Sequence, residues 1–169
     1  YARGNEKDPQ SGLWSYSDRS KEVVKPGYYA THLLRYNVDV ELTATKRVGF
    51  HKYTFNQPEN AAVVFDLQNG GCWDSPTKAY IAKTGENTIE GYRYSSGWAN
   101  DQRVFFVAEF SQPIASMDVM VDRGDAVADK GEGKIVYARV NVDAKEPVYV
   151  KVALSPTSIE NAKMNLQTE

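Results

Sequence analysis

The chain has 169 residues, 41% hydrophobic and 12% aromatic, with 20 Lys and Arg against 22 Asp and Glu. Disorder is excluded over most of it, because chains that cannot bury apolar surface lack so many aromatic and β-branched residues. The balanced charge argues against a nucleic-acid binder, and the longest apolar runs, such as 61–65, fall far short of the ~20 residues a bilayer span needs.

Residues 1–25 read as an irregular N-terminal arm on a sheet edge. Gly4, Asn5, Asp8, Pro9, Ser11 and Gly12 are turn formers, and Leu13, Trp14 and Tyr16 are expected to be its buried part. No basic and apolar leader precedes Tyr1, so any secretion signal is expected to have been removed or to lie outside the chain. The single cysteine, Cys72, cannot close an internal disulfide and leaves the compartment open.

From Pro26 the period is two. Pro26-Gly27 is a turn, and a strand is predicted over Tyr28 to Tyr36, broken at Asn37. Val38, Val40, Leu42 and Ala44 alternate with Asp39, Glu41, Thr43 and Thr45, which puts the first set in a core and the second in water. Val48 to Phe55 carries aromatics on both faces, so both are expected to be covered. Further strands are predicted over Ala61–Leu67, Ala79–Lys83, Thr88–Tyr94, Arg103–Phe110, Ala115–Val121, Lys134–Val142 and Val148–Leu154. Turns separate them at Asn69-Gly70-Gly71, Thr84–Asn87, Ser95–Gly97, Asp129–Gly133 and Lys145–Pro147. About nine or ten strands with short connections and no intervening helical pattern make an all-β, antiparallel sandwich or barrel over 26–156.

Pro156 stops the last strand, and Thr157-Ser158-Ile159-Glu160 fits a capping box with Thr157 as the cap. Ile159, Ala162, Lys163 and Leu166 then follow helical spacing over 157–169. So short a helix is marginal alone and needs a partner. With no glycine cap before Glu169, the expectation is a longer protein cut at this point.

The metal-ligand candidates His32, His51 and Cys72 lie in three segments without paired spacing, so no zinc site is expected. Asp122, Asp125, Asp129 and Glu132 do not match a calcium-loop pattern and read as a solvated hairpin. No serine-nucleophile or phosphate-loop motif is present. A Cys72–His51 dyad is outweighed by the tendency of cysteine to be buried and inert. Asp66, Asp74, Asp118 and Asp122 sit near strand ends and could supply a glycosidase pair only if two came within about 5–9.5 Å of each other. Trp73 follows a double glycine and Trp98 follows Ser-Ser-Gly, so both are loop residues. An exposed ring there suits stacking on a sugar; the competing reading is a staple folded onto the core.

One ordered set of segments is more specific. Glu22-Val23-Val24-Lys25-Pro26-Gly27-Tyr28-Tyr29 precedes Glu41-Leu42-Thr43-Ala44-Thr45-Lys46-Arg47-Val48-Gly49-Phe50-His51-Lys52-Tyr53-Thr54-Phe55. Ile89-Glu90-Gly91-Tyr92-Arg93, Gly97-Trp98-Ala99, Phe105–Phe110 with Pro113, and Ser158–Leu166 follow. This set resembles the N-terminal β-sandwich domain of glycoside hydrolase family 92, the calcium-dependent exo-α-mannosidases. The resemblance implies a galactose-mutarotase-like supersandwich, with 157–169 starting a linker helix to an (α/α)6 barrel. It implies inverting removal of terminal α-mannose from glycans, of the α-1,2-mannosidase type, outside the cytoplasm: periplasmic, cell-surface or secreted. It places the acid, the base and most calcium ligands in the barrel, so no cofactor and no catalytic residue is expected here. The family's Pro-Phe-Gly and Gly-Phe-Ser-His segments have no counterpart, and Ser17-Asp18-Arg19 stands where an aromatic-Ser-His run is expected. Within the matched stretch, Arg47 and His51 lie four apart on one strand, so they are expected to share a face. With Glu41 they form a structural polar motif, since a buried cation needs a partner.

Three readings follow: a non-catalytic part of a mannosidase, a free-standing carbohydrate-binding module using Trp98 and Trp73, or a self-sufficient enzyme. The ordered segments favour the first.

Overall fold

A computed structural model describes residues 7–8, 11–70 and 73–169. The readings on Cys72, Gly71, Gly4, Asn5 and Pro9 lie outside the described residues. Among the described residues there are thirteen strands and one α-helix: β1 Val23–Lys25, β2 Tyr28–Leu33, β3 Val38–Ala44, β4 Val48–Phe55, β5 Ala62–Asp66, β6 Ser75–Lys83, β7 Thr88–Ser96, β8 Gln102–Phe110, β9 Ile114–Val121, β10 Ala126–Ala128, β11 Lys130–Gly133, β12 Val136–Val142, β13 Val148–Ser155 and α1 Ile159–Thr168. All pairings are antiparallel. One sheet runs β1-β2-β3-β4-β13-β8-β7-β6-β11 and the other β10-β9-β12-β5.

The period of two produces the core. In β12, Val136, Ala138, Val140 and Val142 are buried and the residues between them are not. Opposite them, Ile81, Ile89, Ala108, Phe110, Val148 and Val150 line the inner face of the large sheet. Phe65 of the small sheet stacks on Phe106 of the large one, ring centres 5.8 Å apart, and ties the layers together. Gly91 lies where the packing leaves no room: a Cβ there would stand 2.6 Å from Phe106 Cζ.

The stretch 126–133 corrects the solvated-hairpin reading. Ala126–Ala128 pairs with β9 in the small sheet, Asp129 turns at φ 65°, and Lys130–Gly133 pairs with β6 in the large sheet. The segment therefore crosses from one layer to the other and closes one side of the sandwich. A Cβ on Gly131 would sit 2.6 Å from Val121 Cγ2, and one on Gly133 would sit 2.5 Å from Val121 Cγ1. These glycines answer a close backbone approach; in sequence that is indistinguishable from a turn.

The arm is less buried than expected. Leu13 and Tyr16 are 40% and 48% exposed. The arm is held through its backbone: Asp18 N–H donates to His32 O at 2.8 Å, and Leu34 N–H donates to Tyr16 O at 3.0 Å along β2. Arg35 Nη1 donates to the carbonyls of Ser11, Gly12 and Trp14. β2 ends at Leu33, earlier than predicted, and Asn37 turns the chain at φ 50°.

The helix starts one residue later than predicted. Ser158 is the cap, its Oγ accepting from Asn161 N–H at 3.0 Å. Ser155 Oγ accepts from the N–H groups of Thr157 and Ser158, which displaces the cap past Thr157. The buried residues of α1 are Ala162 and Asn165, and Lys163 Nζ reaches Glu90 Oε2 at 2.7 Å. Register places Glu90, Val107, Ala153 and Val48 on one face, so α1 covers the outer side of the large sheet.

Candidate functional site

The polar motif resolves into three separate contacts. Arg47 lies in the turn before β4, outside the strand, which corrects the shared-face expectation. Its Nε and Nη2 meet Glu169 Oε1 at 2.7 and 2.6 Å, and its backbone N–H donates to Oε2 at 3.1 Å. Thr45 Oγ1 donates to the same Oε2. These donors, Thr45 first, hold the Glu169 carboxyl at about 2. His51 turns instead to Tyr53, Nδ1 to Oη 2.7 Å. Burial lowers the His51 pKa and pushes the Tyr53 phenol up to about 12. Glu41, on the opposite face of the sheet, takes Lys52 Nζ at 2.6 Å and Tyr28 Oη at 2.8 Å. His32 bonds Asp39 at 2.7 Å on that outer face, so the two histidines stand on opposite sides of the sheet.

Beside the Arg47 turn lies an open, mainly apolar groove of about 480 Å³, lined by Ala44, Val48, Gly49, Val104, Leu154 and Pro156.

The strand-end carboxylates are occupied elsewhere. Asp66 Oδ1 accepts from the N–H groups of Gln68 and Asn69, both at 3.0 Å. Asp122 Oδ1 accepts from Lys134 and Ile135 N–H. Asp118 stands opposite Arg139 on the outer face of the small sheet. Asp74 pairs with Arg93, Oδ2 to Nη1 2.5 Å, with both side chains largely buried. Arg93 Nε also donates to Leu67 O at 2.9 Å. Arg93, and then Ser95, lower the Asp74 pKa. Sequence reasoning missed Arg93, although its alternation with Ile89 and Gly91 puts a cation on the inward face of β7, where a partner is required.

Above this ion pair the two candidate tryptophans meet. Trp73 in the β5–β6 loop and Trp98 in the β7–β8 loop have ring centres 6.3 Å apart, with planes at 81°. They are 83% and 89% exposed, which rejects the staple reading. Gly97 permits the contact between the loops: a Cβ there would stand 2.7 Å from Asp74 Cα. The Asp74–Arg93 pair thus anchors the strand end beside Trp73 under the loop that carries Trp98.

Among the described residues no three His, Cys, Asp or Glu side chains come together as a metal site.

The sequence pattern of the "Glycosyl hydrolase family 92 N-terminal domain" matches residues 1–155. No curated protein matches the chain. Among solved structures, the fold is similar to the GH92 α-mannosidase BT3965 from Bacteroides thetaiotaomicron, with TM-score 0.91 and 29% identity over 98% of this chain and 24% of that one. That enzyme is also known in complex with mannoimidazole. The GH92 inverting mannosidase BT2199 from Bacteroides thetaiotaomicron VPI-5482 shares the fold, with TM-score 0.77 and 20% identity over 92% of this chain and 21% of that one. The chain thus spans about a quarter of the length of these mannosidases, and it belongs to the family of glycosyl hydrolase family 92 N-terminal domains.

Proposed function

We propose that the chain is the non-catalytic N-terminal portion of a glycoside hydrolase of the α-1,2-mannosidase type, which trims terminal α-mannose from glycans. In this reading 1–25 is an arm, 26–156 the supporting sandwich and 157–169 the start of a link to an (α/α)6 barrel on the same polypeptide. Calcium and the catalytic acid and base belong to that barrel, and the whole protein works in the periplasm, at the cell surface or after secretion.

The observation that carries the reading, beyond family membership, is the state of the carboxylates. Among the described residues, the carboxyl groups whose pKa is displaced are all displaced downward: Asp18, Asp39, Glu41, Asp74, Glu132, Glu160 and Glu169. An inverting glycosidase needs one carboxyl raised, so that it carries a proton to the leaving oxygen, and a second across the sugar. These carboxylates are committed to donors of the fold, such as Arg93 for Asp74, Lys52 for Glu41, Asn56 for Asp39 and Ser20 for Asp18.

The test is direct. The folded 169-residue chain is incubated with α-1,2-mannobiose, and free mannose is measured. No release is expected; release in proportion to chain concentration would overturn the reading.

A further inference from the structure

We propose that Trp73 and Trp98 form a saccharide-contact site, an aromatic corner that takes a pyranose of the manno series. The choice of sugar rests on the mannosidase-domain reading; the corner itself rests on geometry.

Tryptophan at more than 80% exposure leaves one of the largest apolar side chains in water, and folded chains rarely do so twice at one point. Here two such residues, 25 positions apart in sequence, are brought edge to face at the tips of two loops. Two ring planes at 81° form an inside corner: one indole face can lie under the C–H face of a pyranose while the other flanks its rim. Asn100, which is exposed, follows Trp98 on the same loop and carries an amide able to donate and accept, whereas Asp101 beside it is held by Arg103.

The corner differs from the tyrosine cluster of β6 and β7. Tyr92 stacks on Tyr80 at 5.4 Å and on Tyr94 at 4.7 Å, with Lys78 over the Tyr92 ring and Arg103 over the Tyr94 ring. Those rings already have partners, whereas Trp73 and Trp98 stay largely exposed beyond their contact with each other. The support is also tied to the sheet. Asp74 follows Trp73 directly and is pinned by Arg93; Gly97 precedes Trp98 and lies against Asp74. Ordering paid during folding need not be paid again on binding.

The experiment titrates the chain with α-1,2-mannobiose and, separately, with cellobiose, following heat release by calorimetry in every variant and tryptophan fluorescence in the parent. Trp14 is the third indole and serves as the internal reference. The expected result is a saturable change with mannobiose. Its affinity should fall at least tenfold in Trp98→Ala and again in the Trp73→Ala/Trp98→Ala double variant, while circular dichroism and melting stay unchanged. No saturable change with either sugar, or one that survives in the double variant, overturns the proposal and leaves the domain reading standing. A response to cellobiose alone overturns the manno assignment and leaves the domain reading to its own test.

Discussion

Glu169 and Arg47 stand 122 positions apart in sequence, yet the Glu169 carboxylate is gripped by the Arg47 guanidinium at 2.6–2.7 Å and by its backbone N–H. The contact joins the end of α1 to the β3–β4 turn beside the apolar groove. Its sign with pH follows from the lowered pKa. Unfolded, the carboxyl titrates near 4.5; folded, near 2. The stabilisation is therefore present above pH 4.5 and lost as pH falls toward 2. Glu169→Gln should lower the melting temperature at pH 7, and the gap to the parent should close below about pH 2.5. A gap that is constant with pH would contradict the ion pair.

The Asp74–Arg93 pair is expected to matter more than the surface pairs. Removing Arg93 leaves a largely buried carboxylate without its cation, a loss of about 3 kcal/mol. Arg93→Met should show this in urea unfolding, and Asp74→Asn/Arg93→Met should recover part of it. An Arg93→Met cost below about 0.5 kcal/mol, as for an exposed pair, would refute the anchoring role.

Gly91→Ala places a methyl group 2.6 Å from Phe106 Cζ, with β6 backbone on its other side. Overpacking of this kind costs about 1–3 kcal/mol. Combining it with Phe106→Leu should be less than additive, because the clash is partly relieved. Strict additivity of the two in unfolding experiments would show that Gly91 serves something other than this contact.

The helix cap separates two neighbouring hydroxyls. Ser158→Ala should destabilise the chain by about 1 kcal/mol, through loss of the bond from Asn161 N–H, whereas Thr157→Ala should cost clearly less. Equal losses in thermal melts would put the cap back at Thr157.

Most of the sandwich was legible because its strands obey a strict period of two, as in β12 and β13. What escaped had physical reasons. β11 escaped because Gly131 and Gly133 look like turn residues while making room for Val119 and Val121. The cap slipped by one residue because Ser155, within the preceding strand, competes for the same N–H groups. Arg47 could not be placed because its partner lies at the far end of the chain. Trp73 and Trp98 could each be read as loop aromatics, but their meeting depends on sheet order, which periodicity does not contain. Arg93 was within reach, as a cation on an inward strand position.

The most direct test of the whole account is the size of the native polypeptide. An antibody raised against this chain would probe an extract of the organism that makes it. A single band several times larger than 18.9 kDa is predicted, because the chain spans about a quarter of the mannosidases it resembles. A band near 18.9 kDa would contradict the account and leave a free-standing sandwich.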